Sequence, residues 1–332
     1  MPMNRRNFLA LTATGVASAG VGGRLPSSLV EAARQEAQGL FLPIRRNVGI
    51  FTLRGGTVGT LLNDDGVVVV DSQFADSAEV LVAGLRERSG RSQVDLLVNT
   101  HHHFYQTFTR NLPQVQKMEL FDWLVTLYEI WRGLKEETVY NSSLTAMGEL
   151  LRYGCTTALD HHYVFPKSGS EMFIDQQFRA AGELGIRLHA TRGSMSLGRS
   201  DGGLPPDDLV QTTDEILADS QRLIDLYHDP SPFATRQVAL APCSPFSVTE
   251  DLLRESAVLA RENGVRLHTH VAETRDEEDY TLEKLGMRPL AYMEKVGWLG
   301  DDVWYAHGIH FNDEELKQLA QTGTGVAHCP VS

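Results

Sequence analysis

The fold is first indicated by the stretch Leu96-Leu97-Val98-Asn99-Thr100-His101-His102-His103. A short apolar run ends here in histidines, as expected of a buried strand that carries polar side chains to the edge of a sheet. Side chains alternate along a strand, so His101 and His103 should point to one face and His102 to the other. Two imidazoles on one face are half of a zinc site.

Two later apolar runs end in the same way. His270 closes the run L-H-T-H and is followed three residues later by Glu273, and His307 closes the run V-W-Y-A-H. The carboxyl ends of parallel strands are where a (β/α) barrel places its catalytic groups. We therefore expect these side chains to meet the pair His101 and His103 at one end of a barrel.

This set of residues has a definite chemistry. A zinc ion with three protein ligands keeps one position for water and lowers the pKa of that water towards neutrality. A nearby carboxylic acid can then move a proton to a ring nitrogen and to the leaving group. We expect Glu273 to do this and His307 to orient the water, while His102 and His268 pack on the other face of their strands.

After residue 103 the chain repeats one unit: an amphipathic helix, a glycine, an apolar strand and a polar loop. Glycine is the common left-handed stop of a helix, and strands that alternate with helices indicate a parallel sheet. This pattern predicts an α/β fold, an incomplete (β/α)8 TIM-type barrel with seven visible strands. The strands are expected near 96–103, 155–164, 186–194, 237–246, 265–273, 303–310 and 324–329.

A small β-rich segment precedes this barrel. Residues 48–53, 57–62 and 67–71 are predicted to be short strands separated by turns, with a hairpin-type turn at 63–66. A helix over 76–88 should follow.

Composition excludes some functions. The 332 residues include 43 acidic and 30 basic side chains, which gives a net charge of −13. This charge argues against binding to nucleic acid or to an anionic membrane surface, because both require clustered Lys and Arg. Three scattered cysteines give neither a disulfide framework nor a cysteine zinc site, and they are expected to be buried as small apolar residues.

The first thirty residues resemble an export signal. Paired arginines in N-R-R-N-F-L at 4–9 precede an apolar, small-residue stretch at 10–23 that contains A-S-A at 17–19. This pattern is typical of a twin-arginine signal rather than a membrane span, which needs about twenty strongly apolar residues. Export to the periplasm is expected, with no stable membrane span.

From about residue 98 to 332 the chain resembles the amidohydrolase superfamily, in its cytosine, guanine and s-triazine deaminase-like branch. The stretches that carry the resemblance are N-T-H-H-H-F-Y-Q-T, G-C-T-T-A-L-D-H-H, A-L-A-P-C-S-P-F-S-V, L-H-T-H-V-A-E-T and G-V-A-H-C-P-V-S. The resemblance implies a zinc-dependent hydrolase that deaminates a purine-type or related heteroaromatic ring such as 8-oxoguanine. Such enzymes are cytoplasmic, which is the alternative location.

The resemblance also implies the roles of individual residues. One Zn²⁺, with Fe²⁺ as the alternative, would be bound by His101, His103 and His270. Glu273 would shuttle protons and His307 would assist it. Gln106, three residues after the His-x-His pair, would read a carbonyl of the small heterocyclic substrate.

One departure from that family shapes the expectation for activity. The family's fourth protein ligand is an aspartate at the end of strand eight, whereas this sequence ends just after strand seven. Activity is therefore expected to be impaired, and a non-catalytic fragment is one alternative. Unpaired sheet edges would also favour association, so a homo-oligomer is considered.

Residues 45–101 instead resemble the start of a metallo-β-lactamase fold, through G-T-V-G-T-L-L-N-D-D-G-V-V-V-V-D-S. That family continues H-x-H-x-D-H, but Tyr105 and Gln106 stand at its last two metal-binding positions here. A metallo-β-lactamase-like hydrolase with two metals is thus a weaker alternative. The expected division is a signal at 1–30, a metallo-β-lactamase-like segment at 40–97 and a truncated amidohydrolase barrel at 98–332, an apparent chimera.

Overall fold

A sheet of eleven strands runs through the chain, and its strands pair in the order in which they occur in the sequence. The computed structural model describes residues 39–53, 56–71 and 77–329. The predicted signal at 1–30 lies outside the described residues. Among the described helices, none has both the length and the apolar character that a membrane crossing requires.

The first four strands begin as an antiparallel meander. Strands β1 (Leu40–Arg45), β2 (Val48–Leu53), β3 (Gly56–Leu62) and β4 (Val67–Val70) pair in turn. In the turn before β4, the Asn63 side chain accepts hydrogen bonds from the amides of Asp65 and Gly66 at 3.1 and 2.8 Å. The predicted strands β2, β3 and β4 are present, and β1 is an additional edge strand.

The sheet becomes parallel at β4, whose residue Val69 pairs with Leu97. From β4 to β11 every ladder is parallel, so the parallel set has eight strands, one more than the seven predicted. The other strands are β5 (Leu96–Asn99), β6 (Thr157–Asp160), β7 (Arg187–Ser194), β8 (Arg236–Pro242), β9 (Arg266–Val271), β10 (Val303–His307) and β11 (Gly325–Ala327).

The barrel is not closed, because no ladder joins β11 to β4 within the described part of the chain. The two strands nevertheless line one cavity of about 540 Å³, which Val70 reaches from β4 and Val326 from β11. The architecture is therefore a TIM-type α/β barrel with an open seam, preceded by an antiparallel segment.

Helices cover the outside of the parallel strands. They are α1 (Ala78–Ser89), α2 (Leu120–Trp131), α3 (Glu136–Arg152), α4 (Phe173–Leu184), α5 (Thr213–Tyr227), α6 (Glu250–Asn263), α7 (Arg275–Tyr280), α8 (Pro289–Lys295) and α9 (Asp313–Thr322). Four of them end at a glycine with a positive φ, namely Gly90, Gly185, Gly264 and Gly323. The glycine stops predicted from the repeated unit are therefore present.

Two apolar clusters stabilise this fold. The barrel cluster extends from Phe104 to Leu319 and includes the fully buried Trp131 and Trp298. The amino-terminal cluster is much smaller and consists of Phe51, Leu53, Val58, Val67, Val69, Leu81 and Leu85. The predicted domain boundary near residue 97 falls between the two clusters, although the sheet is continuous across it and the boundary stays a prediction.

Hydrogen bonds join Asp71, the residue that follows β4, to the residues just before the first histidines. The Asp71 amide donates to the Val98 carbonyl at 2.8 Å, and the Asp71 carboxylate accepts from the amide and hydroxyl of Thr100 at 3.1 and 3.0 Å. Burial raises the pKa of Asp71, and the hydrogen bonds from Thr100 oppose that change. This Asp71–Thr100 clamp holds the residue immediately before His101.

Candidate metal centre

Four histidines meet at the carboxyl ends of β5, β6 and β9. One ring nitrogen from each of them lies within 4.8 Å of those of the others, and the set consists of His101, His103, His161 and His270. The Nε2 atoms of His103 and His270 are 3.2 Å apart. The structure thus brings together the three histidines predicted from the sequence and adds His161.

The predicted ligands are each anchored through their other ring nitrogen. The Nδ1 of His103 donates to the His161 carbonyl, and the Nδ1 of His270 donates to the Cys243 carbonyl, both at 2.6 Å. A carbonyl oxygen only accepts, so both rings carry their proton on Nδ1 and have Nε2 available as a ligand. Such anchoring of the second nitrogen is usual for histidines that bind metals.

His101 is anchored by a relay instead of a carbonyl. The Nδ1 of His268 contacts the Trp304 carbonyl at 2.9 Å, which leaves the His268 Nε2 to accept from the His101 Nδ1, also at 2.9 Å. The His101 Nε2 is then buried without a hydrogen-bond partner. A buried, unpaired nitrogen beside two other available nitrogens fits a metal ion.

Burial also keeps this cluster in its metal-binding form. Loss of hydration, reinforced by the neighbouring histidines, lowers the pKa of His101 and of His103 well below the ordinary value. Burial lowers the pKa of His270 to about 4. The imidazoles are therefore neutral near pH 7, and neutral imidazole is the form that binds zinc.

Glu273 and His307 lie beside these histidines as a pair. The Nε2 of His307 is 3.4 Å from a carboxylate oxygen of Glu273, and the rings of His307 and His270 stack with centroids 5.3 Å apart. Burial raises the pKa of Glu273 to about 8, with a further contribution from the charge of Glu277. Glu273 can therefore exchange a proton close to neutral pH.

The backbone that carries Glu273 is held by Glu277. One Glu277 oxygen accepts from the Ala272 amide at 2.9 Å and the other accepts from the Glu273 amide at 2.8 Å. Ala272 and His307 both have positive φ angles, 56° and 76°. Positive φ at residues other than glycine is uncommon and concentrates at functional sites, so the local backbone is shaped to aim these side chains.

A cavity of about 770 Å³ opens onto the cluster. Gln106 lines it from a short 3₁₀ helix, Phe104–Phe108, and its side-chain nitrogen lies 3.4 Å from the Tyr163 hydroxyl. Trp123 and Phe246 add aromatic surface. The structure thus places all the predicted site residues around one cavity, namely His101, His103, Gln106, His270, Glu273 and His307.

One prediction about the histidines is wrong. His268 does not turn away from the site: it is fully buried in the barrel and contacts His101. The physical reason is that residues two apart on a strand share a face, so His268 lies on the same side as His270. His102 does lie on the other face of its strand, in a cavity shared with Val69 and Leu81.

The two-metal alternative lacks its ligands here. Tyr105 is almost fully buried, and its ring packs against Trp131 with centroids 5.2 Å apart. Gln106 offers an amide where that alternative requires a histidine. The geometry therefore favours a single metal bound by the histidine cluster.

Sequence reasoning missed His161, although a signal existed. The run Leu159-Asp160-His161-His162 ends a strand with polar residues in the same way as the run before His101. A histidine at a strand end does not by itself indicate a metal ligand, because most such residues are hydrogen-bonded core histidines. Only the neighbouring strands show which of the two histidines faces the cluster.

Neutral histidines at the carboxyl ends of parallel barrel strands, beside a buried glutamate, are an arrangement typical of metal-dependent barrel hydrolases. The sequence pattern of the Amidohydrolase family matches residues 97–332. The chain belongs to the amidohydrolase family.

Known relatives support this assignment. The chain is 49% identical over 302 residues to 8-oxoguanine deaminase from Pseudomonas aeruginosa, covering 87% of this chain and 64% of the relative. It is 39% identical over 291 residues to hydroxydechloroatrazine ethylaminohydrolase from Pseudomonas sp. strain ADP, covering 83% and 60%. The chain thus spans about three fifths of the length of these relatives.

A solved structure shows the same fold with a metal. Atrazine chlorohydrolase from Arthrobacter aurescens TC1, complexed with zinc, superimposes with a TM-score of 0.68 at 32% identity, covering 82% of this chain and 60% of that chain. The family match begins at residue 97, whereas an alignment over 87% of this chain must also include residues before it. Similarity to the deaminase relative therefore reaches into the amino-terminal segment.

Proposed function

We propose that this chain forms the barrel of a metal-dependent aminohydrolase that removes an amino group from a purine-type or related heteroaromatic ring by hydrolysis. The observation that carries the proposal is the convergence of three available imidazole nitrogens with the Glu273–His307 pair in one cavity. The first candidate substrate is 8-oxoguanine, because a relative at 49% identity is named for its deamination.

His101, His103 and His270 would hold the metal, Zn²⁺ or alternatively Fe²⁺. When bound, the ion would polarise the substrate and lower the pKa of a coordinated water. The histidine cluster fits this role, since its nitrogens are neutral, buried and held in place through their second ring nitrogens.

Glu273 would move the protons of the reaction. Its carboxylate would take one proton from the attacking water and pass it to the ring nitrogen, and would then take the second proton from the new hydroxyl group and pass it to the departing amine. A pKa of about 8 suits both steps, because the group can be charged or protonated near neutral pH. His307, 3.4 Å away, would hold the carboxylate in position.

The cavity would recognise a flat, polar ring. The Gln106 amide can donate to a ring carbonyl and accept from its neighbouring N–H, and Tyr163 lies beside it. Trp123 and Phe246 supply apolar surface against which a ring can pack. The cavity volume of about 770 Å³ falls within the range of small-molecule sites, roughly 300–1,000 Å³.

The test combines metal content with turnover. The purified chain should contain one zinc per molecule and release ammonia from 8-oxoguanine, and His270→Ala should lose both. His189→Ala is the matched control, because His189 is a barrel-strand histidine that lines the cavity at the open seam instead. Zinc content that His270→Ala leaves unchanged would refute the metal site. Zinc binding without ammonia release would exclude turnover of 8-oxoguanine by this chain. The impaired turnover expected from the sequence is measured in the same assay.

Three finer expectations are proposed with this function. The twin-arginine-like residues support export, with the cytoplasm as the alternative, and fractionation of expressing cells tests it.

The edge strand β1 exposes Leu40, Leu42 and Ile44, which supports self-association, and sedimentation tests it. The separate apolar clusters support a junction near residue 100, and calorimetry showing two unfolding transitions would agree with it.

A further inference from the structure

His161 resembles the three predicted ligands in its surroundings. It follows the last residue of β6, its side chain is fully buried, and its ring stacks on that of His270 with centroids 4.6 Å apart. Burial, with contributions from neighbouring histidines, lowers its pKa well below the ordinary value. His161 is therefore a neutral imidazole within the cluster.

The hydrogen bonds of His161 leave one nitrogen available. Its Nε2 donates to the Ala241 carbonyl at 2.9 Å, which places the ring proton on Nε2 and a lone pair on Nδ1. The Nδ1 is buried and has no hydrogen-bond partner. An unpaired buried nitrogen costs free energy unless something binds it.

We propose that His161 is a fourth protein ligand of the metal, binding through Nδ1. The proposal rests on the proposed metal site, which it extends from three imidazoles to four. The sequence motifs of the first three ligands do not imply this role. The observation that supports it is that the four ring nitrogens lie within 4.8 Å of one another.

His162 provides a matched control. It is the next residue, it is also fully buried, its Nε2 contacts the Val164 carbonyl at 3.0 Å and its Nδ1 also lacks a partner. Its ring, however, packs against Tyr105 and Phe165, at 4.7 and 5.0 Å between centroids, and not against the cluster. The two histidines thus differ mainly in which face of the strand end they occupy.

The experiment compares His161→Gln with His162→Gln in the full chain. A glutamine amide can still donate to the carbonyl that each imidazole contacts but does not offer the imidazole Nδ1. Zinc affinity is measured by competition with a chelator, and Co²⁺ loaded in place of zinc reports coordination number through its visible absorption. His161→Gln should weaken zinc binding by at least ~10-fold and change the Co²⁺ spectrum, whereas His162→Gln should change neither.

Equal zinc affinities and Co²⁺ spectra for His161→Gln and the unmodified chain would overturn the proposal. Should His161→Gln fail to fold, zinc-edge X-ray absorption of the unmodified protein gives the count directly: four imidazole nitrogens agree and three do not. The variant His270→Ala distinguishes failure of the proposed metal site from failure of the role proposed for His161. If zinc is indifferent to His270, the proposed metal site fails; if only His270→Ala loses zinc, the site stands and the role of His161 fails.

Discussion

The barrel cluster and the amino-terminal cluster differ in size and in what they can bury. The barrel cluster encloses polar groups among its apolar side chains, including the buried His161, His270 and Glu273. The amino-terminal cluster has seven apolar residues and leaves much of β1 exposed. Burying a polar group costs free energy unless a partner satisfies it, so a site of neutral histidines needs the larger core around it.

The difference teaches that the two parts contribute unequally to the site. The barrel supplies the four clustered histidines and the Glu273–His307 pair, whereas the amino-terminal part reaches the site through the Asp71–Thr100 clamp. We therefore expect substitutions in the barrel site to change chemistry without unfolding the chain. Substitutions in the amino-terminal cluster should change stability without changing the metal.

The largest effect should come from Glu273→Gln. The amide cannot accept the proton from water, and loss of such a group typically lowers kcat by about 10²–10⁴-fold. Metal content should stay unchanged, because Glu273 is not among the four clustered nitrogen donors. Ammonia release and zinc analysis on one preparation check this, and a kcat within a few-fold of the unmodified protein would remove Glu273 from the reaction.

Phe51→Ala should cost about 3–5 kcal/mol of unfolding free energy, because Phe51 is fully buried in the small cluster. Zinc per folded chain should not change. Denaturant unfolding measures the first and metal analysis the second, with Phe173→Ala in the barrel cluster as the matched deletion. Loss of zinc from folded Phe51→Ala protein would break the separation between the two parts.

Glu277→Gln tests how the barrel tunes its proton carrier. The negative charge of Glu277 adds to burial in raising the pKa of Glu273, so removing that charge should lower it. In the proposed reaction the Glu273 carboxylate first accepts a proton, so the rate should rise with pH through this pKa. The midpoint of that rise should move to lower pH in the variant, and an unmoved or higher midpoint would contradict the assignment.

The smallest effect is expected at the exposed edge. Ile44 on β1 is 64% exposed and is not part of the small cluster, so Ile44→Thr should change stability by no more than about 0.5 kcal/mol. Urea unfolding measures this value. A loss comparable to that of Phe51→Ala would show that β1 is covered in solution, as it would be in a self-associated form.

Much of the site followed from strand periodicity. The period of two predicted that His101 and His103 share a face, and the same rule, applied correctly, would have placed His268 with His270. His161 could not be recognised from its own stretch, because its proposed role depends on contacts with His103 and His270, which belong to other parts of the sheet. A tertiary cluster of single histidines leaves little trace in local sequence.

The fold shows the same limit. The run Val67–Val70 is equally suited to an antiparallel or a parallel partner, and in the structure it has one of each, which is why the eighth parallel strand was not predicted. Strand β1 was missed because its sequence L-F-L-P-I-R contains Pro43, which lacks an amide donor. Proline is tolerated only at edges or bulges, and β1 is an edge strand with an irregular register at Pro43.

The strand order has a consequence for how the molecule is made. Each strand pairs with its neighbour in the sequence, so the sheet can grow in the direction of translation. The metal centre cannot form as early. His270 follows His103 by 167 residues, so a nascent chain carries its first histidines while all of those residues are made. Metal capture by the cluster therefore has to wait for strand β9.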